Sequence, residues 1–201
     1  MTTTSATSGR SEQRRRQLLD AAERVVRRDG PDASMSAIAR EAGVTKPILY
    51  RHFGDKDGLY RALAEEQTDA LLGQLVAALG TPGDRRKRVE ATIDAYLRVI
   101  ERQPEMYRFL VRAGADAGPA VSGAVTSFLG RLAAELARAM RAEPGLERLP
   151  RDVAATWSVA IVGMVQSAGD WWLDRPRPLS RRRLVRRLAD LLWGAYGTSA
   201  A

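Results

Sequence analysis

The sequence contains no cysteine, a single histidine (His52) and only three lysines, Lys46, Lys56 and Lys87. Without cysteine there is neither a disulfide framework nor a thiolate metal site, a composition that suits a reducing cytoplasm. One histidine and no thiol also leave out the usual nucleophile–base pairs and multi-histidine metal centres. The acidic residues are scattered among arginines at helical spacing, as on solvated faces with ion pairs. No enzymatic activity is expected from this inventory, and no cofactor is implied. Long apolar runs are missing too. The longest, Ala154 to Ala168, is interrupted by Ser158 and Gln166 and is too short to span a bilayer. Residues 1–9, MTTTSATSG, have neither a basic start nor an apolar run, so they read as a disordered arm rather than a signal peptide or anchor. A soluble cytoplasmic protein with no membrane partner is the expectation. Strand-like alternation is absent at any length, and no internal repeat stands out.

What the chain does have is helix. Its 201 residues are 45% hydrophobic and 28% charged, enough for one large or two small cores. The net charge of +8 points mildly to a polyanionic partner. Two of the three lysines fall in one stretch, Ser34 to Leu59, SMSAIAREAGVTKPILYRHFGDKDGL. Ser34 can cap a first short helix that turns Ile38, Ala39 and Ala42 to one side. Gly43 supplies a left-handed stop, and Val44 plugs the turn. Thr45 can cap a second helix, with Pro47 in its first turn, where a missing N–H costs little. Leu49 and Phe53, four apart, point inward, leaving Lys46, Ile48, Tyr50 and Arg51 on or near the outer side. This is a helix-turn-helix pattern, whose second helix offers its N-terminal residues to a DNA major groove.

The run A-G-V-T-K-P-I-L-Y-R-H-F-G-D-K-D-G-L, preceded by L-L-D-A-A-E-R-V and I-A, resembles the N-terminal domain of the TetR family of bacterial transcriptional regulators. The specific part covers about Arg15 to Leu63. The resemblance implies an all-α protein of about nine helices: a three-helix DNA-binding head (residues 10–54) and a helical regulatory and dimerisation body (residues 55–201). It places Lys46, Pro47, Ile48 and Arg51 at base edges, and Ser34, Thr45, Tyr50, His52 and Lys56 at phosphates. The chemistry agrees. Lysine and arginine can donate to guanine, Pro47 and Ile48 can meet a thymine methyl, and hydroxyls near a helix start can hold phosphate oxygens. For His52 the alternative is a helix-end histidine packed on its neighbours. Two positions depart from the family pattern. Ala37 stands where an acid often completes a capping box, and Ser36 shortens a contact that arginine often makes.

Before the motif, Arg10 and Arg14–Arg16 could touch the DNA backbone or a minor groove. Leu18, Leu19, Ala22, Val25 and Val26 then make a helix that Gly30 and Pro31 stop. After it, Asp55 reads as the cap of a long helix running to Gly80, followed by the breakers Thr81, Pro82 and Gly83. The body patterns as helices through Val89–Ile100, from Pro104, over Ala120–Arg141 and Arg151–Leu173, and after Ser180. The helix at 151–173 is apolar on nearly every side, as if buried twice, by the body and by a second subunit. Resemblance implies that the last two helices pair across a twofold axis, with Trp172, Leu184, Leu188, Leu191 and Leu192 at the homodimer interface. It also implies an effector cavity in the body, for which Tyr96, Met106, Tyr107, Phe109, Phe128, Trp157 and Met164 are candidates. The effector would be small and apolar or amphipathic, as that lining is. Gln166 and Asp170 need partners if buried. The function expected is a ligand-responsive repressor binding a palindromic double-stranded DNA operator as a dimer. The alternatives are an activator or co-repressor-type regulator of the same fold, or a helical binding protein without specific DNA readout.

Overall fold

The structure, a computed structural model, describes residues 4–116, 119–174 and 179–197. Among them run α1 (Thr4–Asp29), a 3-10 turn (Gly30–Asp32), α2 (Met35–Glu41), α3 (Lys46–Phe53), α4 (Lys56–Leu79), α5 (Arg85–Arg102), α6 (Pro104–Asp116), α7 (Pro119–Arg141), α8 (Arg151–Leu173) and α9 (Arg181–Gly197). No strand occurs among the described residues, so the fold is all-α with nine helices, as the periodicity predicts. The start of α1 differs from expectation. Residues 4–9, read from sequence as part of a disordered arm, continue the helix, and residues 1–3 lie outside the described region. Once the Leu18–Val26 stripe has nucleated a helix, extension costs only each residue's propensity, about 1 kcal/mol even at Gly9.

The chain divides into two compact units, Met1–Thr68 with Gln103–Val125 and Asp69–Arg102 with Thr126–Ala201. The first is larger than the three-helix head read from the sequence. Its core joins Leu18, Ala22, Val25 and Val26 of α1 to Ile38 of α2, Leu49 of α3 and Leu59 and Leu63 of α4. Met106 and Phe109 of α6 and Val121 of α7 complete it. Each of these Leu, Ile, Val, Met or Phe side chains contributes about 1.5–3 kcal/mol by leaving water. Helix α6 packs on α1 and on the 3-10 turn because its apolar residues find their cover there. The candidate effector residues are divided accordingly. Met106 and Phe109 are core of the first unit, where Phe109 stands edge-on to the Tyr60 ring at 5.1 Å.

In the second unit α9 lies along α5, and α8 also packs on α5. Gly169 of α8 leaves room for α5 side chains against its backbone: a Cβ there would sit 3.0 Å from Tyr96 Cε1. Four residues expected at the dimer interface are buried within this single chain instead. Leu184, Leu188 and Leu192 form the inward stripe of α9, together with Val185 and Ala189. Trp172 is 1% exposed, and its indole N–H donates to the Leu179 carbonyl at 2.8 Å. The i, i+4 stripe is taken by α5 of the same chain, so only Leu191, at 58% exposure, remains outward. Ion pairs reinforce the seam. The Arg181 guanidinium donates to Asp94 at 2.7 Å and also to Glu101, and Arg86 pairs with Asp190 and, at 3.0 Å, with Glu90. Burial alone would push the Asp94 carboxyl up, but hydrogen bonds from Arg181 and Arg98 outweigh it and hold the group below the ordinary carboxylate range. Among the described residues no helix is long and apolar enough to cross a membrane.

Candidate nucleic-acid interface

Ser34 is the N-cap of α2, with extended backbone and a hydroxyl that accepts the Ala37 N–H at 3.2 Å. Ser36 is exposed on the first turn, while Met35, Ile38 and Ala39 turn into the core. The helix ends in a Schellman-type pair of bonds, from the Val44 N–H to the Ala39 carbonyl at 2.9 Å and from the Gly43 N–H to the Arg40 carbonyl at 3.2 Å. Gly43 has φ +64°, a conformation that strains residues with a Cβ.

Thr45 precedes α3 as its N-cap, but its side chain makes no capping bond, contrary to the sequence reading. The reason is local. Pro47 has no N–H to give, and the Ile48 N–H is taken by the Thr45 carbonyl at 3.0 Å. The exposed hydroxyl is thereby left for another acceptor or donor. On α3 Leu49 is fully buried and Phe53 half-buried against the core, as their spacing predicts. Lys46, Pro47 and Arg51 are exposed, Tyr50 is 42% exposed, and Ile48 is half-buried. The His52 ring is half-buried and lies 6.4 Å from that of Phe53 at a 51° tilt. Arg15 of α1 is engaged above the Phe53 ring at 4.9 Å, so it steadies α3 rather than hanging free.

Past Gly54 (φ +81°), Asp55 caps α4 by accepting the Gly58 N–H at 2.6 Å. The exposed Lys56 places its ammonium 5.0 Å over the Tyr60 ring. Sequence reading passed over two residues of this corner. Gly58 approaches the Phe53 backbone so closely that no side chain fits, and a glycine inside a first helical turn, where propensity disfavours it, was the available signal. Tyr60 is buried, and its phenol donates to the Ala33 carbonyl across 27 residues, a contact that no local pattern announces.

The candidate DNA residues therefore fall on consecutive elements of one unit, from the cap of α2 to the start of α4. Two acids of these elements are already engaged. Glu41 is held by Arg24 at 2.7 Å and by Arg28 at 3.8 Å, and Asp55 by its capping bond. Among the described residues Lys46 and Arg51 enter no ion pair. A short helix presenting unpaired cations and hydroxyls can donate to base edges and phosphates. Of the remaining effector candidates, Tyr96 and Phe128 are buried and Trp157 and Met164 half-buried in the second unit, while Tyr107 is half-buried in the first.

These features define a helix-turn-helix regulator of transcription. A family model described as bacterial regulatory proteins, tetR family, matches residues 18–63, and one described as tetracyclin repressor-like, C-terminal domain, matches residues 74–201. The chain belongs to the TetR family of bacterial transcriptional regulators, which are non-enzymatic DNA-binding proteins. It is 32% identical over 184 residues to an uncharacterised HTH-type transcriptional regulator of Mycobacterium tuberculosis, covering 91% of this chain and 77% of that one. It is 33% identical over 184 residues to the HTH-type transcriptional activator FasR of Mycolicibacterium smegmatis, covering 91% and 83%. A TetR-family regulator from Streptomyces coelicolor has the same fold, with a TM-score of 0.76 at 23% identity over 94% of this chain and 82% of that one. So has a regulator from Pseudomonas aeruginosa, at 0.75 and 19% over 92% and 90%.

Proposed function

We propose that this chain is a ligand-responsive repressor that binds a palindromic operator as a homodimer. The observation carrying this reading is the unpaired outer face of α3, with Lys46, Pro47, Tyr50 and Arg51 exposed around the buried anchor Leu49. In this reading Lys46 and Arg51 donate to base edges, and Pro47 and Ile48 offer apolar contact. Ser34, Ser36, Thr45, Tyr50, His52 and Lys56 hold the backbone and set register. One such head is weak; two, on half-sites about 34–36 Å apart, read successive major grooves.

Pairing between copies is supported by the outer face of α8. Ala155, Val159, Ala160, Gly163, Ser167 and Trp171 recur there at helical spacing and are exposed, Val159 by 63% and Trp171 by 40%. With Leu191 of α9 they replace the buried leucines as the candidate interface. An apolar or amphipathic effector is proposed for the second unit, among Tyr96, Phe128, Trp157 and Met164. Helix α4 contributes residues to both units. An effector that prefers one conformation must weaken operator binding by the same free energy by which operator weakens effector binding, typically about 1–3 kcal/mol.

The name of FasR favours a second reading, activation from the same fold. Selection of duplexes from a random pool, followed by footprinting, tests the first claim: two symmetric half-sites about one turn apart are expected. Binding with no preferred sequence would leave a helical binding protein without specific readout. Transcription in vitro from a promoter carrying the selected site then separates the two readings, falling with a repressor and rising with an activator.

A further inference from the structure

We propose that Tyr60 is a positioning residue for the DNA contact, fixing the Ser34 end of α2 through its hydrogen bond to Ala33. This rests on the DNA-binding reading given above. The side chain is 1% exposed, and its phenol O–H donates to the Ala33 carbonyl, itself part of a residue only 2% exposed. That carbonyl shares a rigid peptide plane with the Ser34 N–H, so holding the oxygen orients the backbone entering the cap. Ser34 then has φ −113° and ψ 152°, the extended geometry that aims its hydroxyl back at the Ala37 N–H. An exposed serine at this place can reach a phosphate only if that backbone stays put.

Tyr60 is itself clamped. The Phe109 ring of α6 meets it edge to face, interplanar angle 86°, and the Lys56 ammonium covers its ring. Helix α6 also borders the other end of the same connector. Gly30, at φ +61°, lies so near Glu105 that a Cβ would stand 2.7 Å from the carboxylate oxygen. The five residues from Gly30 to Ser34 thus run between a close approach of α6 at one end and the Tyr60 phenol at the other. The phosphate-facing end of α2 is set by α4 and α6, and not by the capping serine alone.

The test uses the full chain in four forms: wild type, Tyr60→Phe, Phe109→Leu and Thr68→Val. Thr68→Val removes a different buried hydrogen bond of α4, from the Thr68 hydroxyl to the Ala64 carbonyl at 2.7 Å, and serves as a control for general loosening. Amide exchange followed by NMR should show the Ala37 amide roughly two- to tenfold faster in Tyr60→Phe, the usual worth of one hydrogen bond, and unchanged in Thr68→Val. Phe109→Leu, which keeps the bond but loosens its support, should fall between. Affinity for a selected duplex should drop by a similar factor in Tyr60→Phe, equally on selected and scrambled sequences, and Tyr60→Phe should add nothing to Ser34→Ala. An Ala37 amide that responds alike in Tyr60→Phe and Thr68→Val, or losses that simply add, would overturn the proposal. So would faster exchange with unchanged DNA affinity. Wild type that binds no duplex at all defeats the DNA-binding reading instead, a result the exchange experiment does not share.

Discussion

Gly58 sits so close to the Phe53 carbonyl that a Cβ added to it would lie 2.0 Å from the oxygen. A backbone atom cannot swing aside as a side-chain tip can, so the corner between α3 and α4 is built around a hydrogen atom. The Asp55 carboxylate, 2.6 Å from the Gly58 N–H, pins the same residue from the other side.

The sign of one substitution follows. Gly→Ala early in a helix ordinarily stabilises by about 0.4–1 kcal/mol, by reducing the freedom of the unfolded chain. Gly58→Ala should do the reverse, costing about 1–3 kcal/mol as α3 is pushed from its place. Thermal unfolding should show a midpoint lowered by several degrees, and duplex affinity should fall with it. A raised midpoint would mean that the corner relaxes freely.

Lys46→Ala and Tyr50→Phe should weaken DNA binding in different ways. Lys46 is exposed at the first position of α3, and if it reads a base its loss should cost about 1–3 kcal/mol and relax preference at one base pair. The Tyr50 hydroxyl, assigned to a phosphate, should matter equally on all sequences. Fluorescence anisotropy on matched and scrambled duplexes at fixed salt separates the two; equal losses on both for Lys46→Ala would remove its base-reading role.

Charge placed on the two faces of the last helices should act on different equilibria. Leu188 is 6% exposed inside its own chain, so Leu188→Asp should unfold the second unit, by several kcal/mol for an unpaired buried carboxylate. Val159 is 63% exposed, so Val159→Asp should leave the fold intact and shift sedimentation toward monomer. A Val159→Asp protein that remains dimeric would place the interface off this face of α8.

Burial pushes the Tyr60 phenol up from 10.0 to about 12. Its folded form thus holds the proton more tightly than its unfolded form. The associated stability is complete below about pH 10 and is lost as pH rises through 12. Midpoints measured from pH 9 to 12 should therefore fall more steeply for wild type than for Tyr60→Phe, which has no phenol to ionise.

The carboxyl of Asp94 behaves oppositely. Its folded value lies below the ordinary one, so its contribution is present at neutral pH and lost as acid protonates it. Arg181→Gln should lower the thermal midpoint at pH 7, and the gap from wild type should narrow on acidification. A gap that stays constant as pH falls through and below the ordinary carboxylate range would show that the pair adds little beyond packing.

Sequence alone carried the elements that local chemistry dictates. Ser34 and Asp55 announce their caps, Gly43 its turn, and Leu49 and Phe53 their inward face, since each depends on neighbours within a few residues. It was silent where distant segments choose each other. The Leu184–Leu192 stripe reads as apolar whichever helix covers it, and only the fold shows that α5 of the same chain does so. Met106 and Phe109 likewise resemble cavity lining until α6 is seen packing on α1. At Thr45 the pattern misled, because a capping residue needs a free N–H downstream and Pro47 removes one.

The seam between α9 and α5 also orders events during synthesis. Arg181 must find Asp94, a partner made 87 residues earlier, and the leucines of α9 must cover a helix that has long since left the ribosome. The first unit has no such wait, because all of its segments are made once Val125 has emerged. Domains generally fold as units in the order of their synthesis. The first unit can therefore be finished while α8 and α9 are still being translated. Until α9 arrives, the side of α5 that carries Asp94 and Glu101 lacks that cover, and a chain broken off before Arg181 would keep a folded first unit beside a second unit whose α5 stays uncovered.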